Sequence, residues 1–291
     1  MELLQLKYFQ IAAKIQNFSQ AADELNISQP SLSITISRLE DELKIKLFDR
    51  KGRNVELNEA GAAFLNRVNS VFCELDNAKN ELAEIAGIQA KHIALSTTGS
   101  QLLSGILIDY IRLHHEAVIN QRCGIYEEIK KQLVSGEIDF CITLPAIQGE
   151  NIECKILKED EIVLIVPNTH RFAAKKSIKL YEAADEDFIA LPPNFNFRAV
   201  IDSICKAAGF SPKIVLEVDD ILMAEMIEHG QGIALMPRYL ADRPHEEKRN
   251  LLMVRIETPD PHIKIGLSWL KNKHFSTTTK QFRDYIIENY K

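Results

Sequence analysis

FSQAADELNISQPSLSITISRLEDELKIKLFDRKGRNVELNEAG, residues Phe18–Gly61, is the stretch that decides the fold. Ser19 reads as the N-cap of a short helix, SQAADELN, whose Ala21, Ala22 and Leu25 turn inward. Asn26 and Ile27 leave room only for a tight turn. Ser28 caps the next helix, and Pro30 sits in its first turn, where a missing N–H does no harm. In that helix Leu32, Ile36, Leu39 and Leu43 recur at spacings of 4, 3 and 4, the pattern of a buried stripe. Two short helices joined so tightly form a helix-turn-helix. Phe48 and Val55–Leu57 read as two short strands around Lys51-Gly52-Arg53, a basic hairpin tip or wing.

Upstream, LLQLKYFQIAAKI is a helix with Leu3, Leu6, Phe9, Ile11 and Ala13 near one broad face. Downstream, Asn58 to about Ala86 holds no Pro and only one Gly, Gly61. Phe64, Val68, Val71, Leu75, Ala78, Leu82 and Ile85 alternate spacings of 4 and 3, which argues for a coiled-coil seam on a helix roughly 44 Å long. A seam so long and narrow implies a second copy of the chain as partner. Gly87 ends the helix, and GIQAK is a short hinge. From His92 the pattern changes to alternating strands and helices. HIALS, AVINQRCG, IDFCITL, EIVLIVP, KIVLEV, GIALMP and HIKIGLSWL read as strands. LLSGILIDYIRLHH, FNFRAVIDSICKAAG, ILMAEMIEHG and TTTKQFRDYIIENY read as helices. This is an α/β layout with a largely parallel sheet.

Composition sets limits. The chain has 291 residues, 46% of them hydrophobic, enough for two or three ordinary domains. No stretch approaches the length of a membrane span, and MELLQLKYFQ lacks the marks of a signal peptide, so a cytoplasmic location without membrane contact is expected. Cys73, Cys123, Cys141, Cys154 and Cys205 are scattered and read as buried free thiols. Net charge is −6, and residues 1–60 hold 8 basic against 9 acidic side chains. The sum does not favour a nucleic-acid partner, but placement matters more than the sum. Residues 44–53, KIKLFDRKGR, hold five basic side chains and one acidic, a local phosphate-binding patch.

The quoted stretch closely resembles the helix-turn-helix and wing of LysR-type transcriptional regulators. Phe18, Ala21-Ala22, Leu25, Ser28-Gln29-Pro30, Ser33, Ile36, Leu39-Glu40, Leu47-Phe48, Arg50 and Ala60-Gly61 carry the resemblance, and GEIDFCI, LPPNFNF and HGQGIALMP extend it along the chain. This sequence departs from the family at three positions: Lys44 replaces a usual Gly, Asn58 a usual Thr, and Ile34 a side chain that is often polar or basic. Asn caps a helix as well as Thr, and Lys44 is expected to hold the helix C-terminus electrostatically.

The resemblance implies a winged helix-turn-helix over residues 1–58, a linker and dimerisation helix with its hinge over 59–91, and a periplasmic-binding-protein-like effector domain over 92–291. That domain would have one lobe from about 92–162 and 268–291 and a second from about 163–267. The two crossover strands would lie near Val163–Pro167 and Lys264–Trp269. A helix in the major groove presents its N-terminal side chains to base edges. Ser28, Gln29, Pro30, Ser31, Ser33, Ile34 and Ser37 are therefore candidate readers of double-stranded promoter DNA, with Pro30 and Ile34 suited to thymine methyls. Arg38, Arg50, Lys51 and Arg53 would hold phosphates.

Ligands of such α/β domains sit at strand C-termini and helix N-termini. The expected cleft is lined by Thr97, Thr98, Gly99 and Ser100, the last capping a helix. Thr143 and Pro145 follow, with Pro193, Asn194, Phe195, Asn196, Phe197 and Arg198 opposite. Hydroxyls and backbone N–H groups there suit a small anionic metabolite, and Arg198 would pair with a ligand carboxylate or an internal acid. The expected assembly is a homodimer or dimer of dimers, with RNA polymerase as a candidate partner. An enzyme of this fold is not expected, since no catalytic motif, cofactor motif or metal-ligand spacing occurs. A solute-binding transport component would need export. A constitutive regulator without an effector, and a redox sensor using Cys205, are the remaining alternatives.

Overall fold

The protein is described by a computed structural model, which covers residues 1–51, 54–86, 92–103, 105–241, 250–258 and 260–290. The chain divides into two compact units, one built chiefly on the first 90 residues and the other chiefly on the rest.

The first unit runs α1 (Leu3–Ile15), α2 (Phe18–Glu24), α3 (Gln29–Leu43), β1 (Phe48–Lys51), β2 (Asn54–Leu57) and α4 (Glu59–Ile85). Its core is the apolar pattern read above: Leu6, Phe9, Ala12 and Ala13 from α1, Ala21 and Ala22 from α2, and Leu32, Ile36 and Leu39 from α3. Leu3 was expected on the same face, but it opens α1 beyond the edge of the core and is exposed. Phe48 joins the core from β1, its ring 5.7 Å from Phe9 and 5.3 Å from Phe18. Drawing Phe18 into that cluster moves the start of α2. The cap is Asn17, whose side chain accepts from Ser19 N at 3.0 Å and Gln20 N at 3.2 Å, rather than Ser19 itself. β1 and β2 form the antiparallel hairpin expected of a wing. Its tip residues Gly52 and Arg53 lie outside the described residues.

α4 corrects the expected seam. Phe64, Leu65, Val68 and Phe72 pack on the winged-helix core, and Val68 is only 1% exposed. The first half of the apolar stripe is thus used within the chain. Val71, Leu75, Leu82 and Ile85 are exposed on the second half. Local geometry fixes where α4 begins. Asn58 Oδ1 accepts from Gly61 N at 2.9 Å, and its Nδ2 donates to the Lys46 carbonyl at 3.0 Å. The chain passes so close that a Cβ on Gly61 would lie 2.1 Å from the Leu47 oxygen.

The second unit runs β3 (His92–Thr97), a 3-10 turn (Ser100–Leu103), α5 (Ile106–Leu113), β4 (Val118–Cys123), α6 (Tyr126–Val134), β5 (Phe140–Thr143), β6 (Ile152–Pro167), β7 (Ser177–Lys179), a second 3-10 turn (Leu180–Ala183) and β8 (Asp187–Ala190). It continues with α7 (Asn196–Ala207), β9 (Lys213–Glu217), α8 (Asp220–Glu228), β10 (Ala234–Pro237), α9 (Arg238–Ala241), β11 (Leu251–Glu257), β12 (His262–Leu270) and α10 (Thr277–Asn289). The expected helix from Leu102 to His115 is broken at Gly105, whose φ of +87° closes the 3-10 turn before α5 begins.

The sheet order is β4-β3-β5-β12-β6-β11-β7, with β10 also on β6. β3 runs parallel to β4 and β5, and β11 to β7, but β12 is antiparallel to both β5 and β6, as β10 and β11 are to β6. The sheet is therefore mixed rather than largely parallel, because the two crossover strands run against their neighbours. β6 changes partners between Glu161, paired with His262 of β12, and Ile162, paired with Pro237 of β10. β12 pairs with β6 along its whole length, from His262 to Leu270.

Candidate nucleic-acid interface and ligand cleft

α3 presents the expected surface. Ser28 Oγ accepts from Ser31 N at 3.4 Å, and Pro30 occupies the first turn. Gln29, Pro30, Ser31, Ile34, Ser37 and Arg38 are exposed, whereas Ser33 is half-buried. At about 100° per residue, Ile34 stands diametrically opposite the buried Leu32–Ile36–Leu39 stripe, with Pro30, Ser31, Ser37 and Arg38 around it. Gln29 lies toward the Ser33 side, at the helix start. Arg50 and Lys51 belong to β1, but their side chains, like Gly52 and Arg53, lie outside the described residues.

The end of α3 is held differently from the expected electrostatic cap. Lys44 takes the left-handed conformation at φ 56°, the geometry that favours glycine, and its N–H turns back to the Asp41 and Glu40 carbonyls. The left-handed backbone turn closes the helix. Glu40 is buried, and its Oε1 accepts from Leu47 N at 2.8 Å and Phe48 N at 3.3 Å while Oε2 takes Lys46 Nζ at 2.7 Å. This carboxylate ties α3 to the start of the wing strand.

In the second unit, Thr97, Thr98, Gly99, Ser100 and Thr143 come together at the C-terminal ends of β3 and β5, as the parallel pairing dictates. Thr97 is buried, its Oγ1 accepting from Gln121 Nε2 at 3.0 Å. Thr98 Oγ1 accepts from Leu144 N at 3.1 Å, which ties the two strand ends. The Thr143 hydroxyl is fully buried and has no partner. Pro145, joined to Leu144 by a cis peptide, is half-buried. Ser100 is exposed and heads the 3-10 turn, so it does not cap a helix as expected. The residue that approaches Gly99 from α9 is Tyr239, whose hydroxyl would lie 3.9 Å from a Cβ there. Tyr239 N in turn donates to Asp160 Oδ2 at 3.1 Å, where β6 changes partners. Lys158, Glu159, Asp160, Glu161, Arg238, Tyr239 and His262 line an open recess of about 520 Å³.

Pro193 and Asn194 form an exposed turn, Phe195 precedes α7, and Phe197 is buried. The side chain of Asn196 lies outside the described residues. Arg198 is committed within its own lobe. Its Nε donates to both Asp202 oxygens, at 3.0 and 3.1 Å, and Nη1 to the Leu191 carbonyl at 3.0 Å and Glu217 Oε1 at 2.8 Å. Of its two expected roles the structure favours the internal one. The thiols also sort differently from the uniform burial expected. Cys141 and Cys205 are buried, and burial first of all pushes each thiol up to about 12, which argues against Cys205 as a redox centre. Cys73 and Cys154 are half-buried, and Cys123 is exposed at the end of β4. Among the described residues, no group of three or more His, Cys, Asp or Glu is arranged to hold a metal, and no helix is long and apolar enough to cross a membrane.

Residues 3–62 match the family model of the bacterial regulatory helix-turn-helix proteins, lysR family, and residues 92–291 match the LysR substrate binding domain. The chain belongs to the LysR family of transcriptional regulators. This LysR regulator binds DNA through its N-terminal domain and is modulated by a small-molecule effector through its C-terminal one. It is 31% identical to the uncharacterized regulator YybE of Bacillus subtilis, over 100% of this chain and 99% of the relative. A full-length OxyR variant from Pseudomonas aeruginosa shares the fold at a TM-score of 0.71 and 20% identity, covering 99% of this chain and 94% of that one. CbnR, solved in complex with its target DNA, matches at a TM-score of 0.58 and 21% identity over 100% of both chains.

The site also contains residues that sequence reasoning missed. Glu40 was noted only as part of a motif, although an acid bordering a buried stripe is itself a signal of a buried hydrogen-bond role. Gln121 and Tyr239 carry no such signal, since each meets its partner only through the sheet.

Proposed function

We propose that the winged helix of this regulator, residues 1–58, lays α3 in the major groove of promoter DNA, with residues 59–91 as dimerisation linker and 92–291 as effector domain. The observation that carries this reading is the capped, exposed N-terminal half of α3, standing opposite a fully buried stripe. Gln29, Pro30, Ser31, Ser33, Ile34 and Ser37 are the base-side candidates, with Ser28 capping the helix start. Arg38, Arg50, Lys51 and Arg53 hold phosphates. Gln29→Ala should cost specific binding about 1–3 kcal/mol and relax discrimination at one base pair, whereas Arg38→Ala should weaken binding to all sequences and flatten the salt slope. Unchanged affinity in both variants would remove α3 from the interface.

The effector is proposed to be a small polar molecule with an acidic group, held at the ends of β3 and β5. The hydroxyls of Thr98 and Ser100 are the donors the reading relies on, in place of Arg198. Binding there would shift the lobes only as far as the ligand prefers one arrangement, typically by about 1–3 kcal/mol. Thr98→Ala with Ser100→Ala should lose the effector response in calorimetry and footprinting while basal DNA binding stays. Loss of basal binding as well would make both residues structural. The exposed second half of α4 is proposed as the homodimer seam, and dimers of dimers as the assembly on DNA. The regulator acts in the cytoplasm, on RNA polymerase at the promoter, with no catalytic step of its own.

A further inference from the structure

Ile34 is the residue on α3 that the fold leaves unexplained. It is 52% exposed, in the middle of a helix whose other large aliphatic side chains are buried or half-buried. It stands opposite the core, so no packing within the chain accounts for it. Around it are Pro30, Ser31, Ser37 and Arg38, all exposed. The surface is thus an apolar point, Ile34 with the Pro30 ring one turn before it, inside a rim of Ser31, Ser37 and Arg38 that is polar and cationic. In the major groove the edges of three bases offer only hydrogen-bonding groups and ring carbon, whereas thymine offers a C5 methyl.

We propose that Ile34 is a specificity-determining residue that reads a thymine methyl at the centre of the groove contact. This rests on the reading of α3 as the helix in the major groove and adds to it which base, and which atom of it, that helix selects. Bringing the branched side chain against a methyl removes both from water without needing a hydrogen-bond geometry. Selection of this kind is insensitive to salt, unlike the contact of Arg38 with phosphate. One methyl-sized group corresponds to about 0.8 kcal/mol, or about fourfold in affinity.

The test uses the full-length chain and DNA sites enriched by it from a random-sequence pool. Each thymine of the enriched site is then replaced singly by deoxyuridine, which keeps the base pair and removes only the methyl. The natural chain is expected to lose about fourfold in affinity at one thymine per bound helix. Ile34→Ala is expected to bind the thymine site more weakly, by about tenfold, and to bind the uracil site equally well. The side chain is half in solvent, so the thermal midpoint should not move. Indifference of the natural chain to every replacement overturns the proposal, as does an Ile34→Ala chain that still discriminates against uracil at the same position. An enriched site without thymine under α3 has the same force. If Ile34→Ala changes the oligomeric state but not the methyl discrimination, the residue faces protein and the proposal falls. The reading beneath it fails separately: should Gln29→Ala and Arg38→Ala also bind as the natural chain does, or no site be enriched, α3 is not the reading helix. If those two variants lose affinity while no methyl is felt, only the role of Ile34 is lost.

Discussion

The two halves of α4 carry one sequence pattern and meet two different fates. Phe64 and Val68 lie on the same 4-and-3 stripe as Leu75, Leu82 and Ile85, yet the first pair fills the winged-helix core while Leu82 and Ile85 are 65% and 77% exposed. Periodicity reports which side of a helix is apolar. It does not report what covers that side. In the first half the cover is Phe9 of α1, whose ring lies 5.2 Å from Phe64, and the residues around it. In the second half no such cover exists within the winged-helix core, and an uncovered stripe of this length calls for another surface. The stripe is thus covered in its first half and bare in its second, although α4 sits in one compact unit.

The comparison breaks most sharply under a buried charge. Val68→Asp puts an unpaired carboxylate into the core and should cost about 3–5 kcal/mol or more, unfolding the winged helix while the effector domain keeps its own transition. Circular-dichroism melts with two resolved steps would check this; an unmoved first step would remove Val68 from the core. Leu75→Asp, seven residues on, should behave differently. Its host position is 37% exposed in the single chain, so both units should melt normally. The loss should fall on association: at least about 2 kcal/mol, or roughly thirtyfold in the dimer Kd, by sedimentation velocity. If the two substitutions act alike, the halves are not distinct.

Gly61 sharpens the covered half. Gly→Ala in an exposed helix stabilises by up to about 1 kcal/mol. Here the added methyl would meet the Leu47 oxygen, a backbone atom that cannot rotate away. Gly61→Ala should therefore destabilise the winged helix by about 1–3 kcal/mol in urea unfolding, reversing the usual sign. A gain in stability would mean that α4 does not approach the Leu47 backbone so closely.

The division between legible and hidden features follows the range of the interactions. Helices of the first unit could be read because their stripes repeat within the element, and the Ser28–Pro30 start is a local rule. The caps that failed were displaced in two ways: Ser19 by the long-range Phe18–Phe48 contact, and Ser100 by the positive φ of Gly105, a local backbone feature that residue type alone does not announce. β7, β8 and β11 went unread, since β7 and β8 are three and four residues long and β11 (LLMVRIE) shows no clear alternation of apolar and polar types. At the candidate site, α3 was legible because its cap, its Pro30 and its buried stripe all lie within one helix. Which of its two expected roles Arg198 takes was not, for one of its acids, Glu217, lies on β9, 19 residues away, and reaches it only in the folded unit. Strand ends could be placed beside one another from the α/β pattern, but not the antiparallel crossover strands that shape the cleft.

The smallest expected effect concerns the end of α3, where the sequence and the backbone geometry offer accounts that predict opposite outcomes. If the Lys44 ammonium steadies the helix C-terminus, removing the charge should weaken the unit by about 0.3–1 kcal/mol, more at low salt. The backbone argues otherwise. At φ 56° the Cβ of Lys44 crowds the following carbonyl, a strain of roughly 1–2 kcal/mol that glycine does not feel, although glycine gives part of that back as unfolded-state entropy. Asn26 and Gln16 share the left-handed region at φ 54° and 53°, and Asn is among the side chains that tolerate it best. Lys44→Gly is therefore expected to raise stability by about 0.5–1 kcal/mol, and Lys44→Met, which keeps the Cβ and drops the charge, to change it by less than about 0.5 kcal/mol. Thermal melts at two salt concentrations separate the accounts. A loss in both variants that shrinks with salt would restore the electrostatic cap. A gain confined to the glycine variant places the stress in the backbone, so that Lys44 and Gly61 become opposite cases: a side chain held where glycine fits better, and a glycine held where no side chain fits.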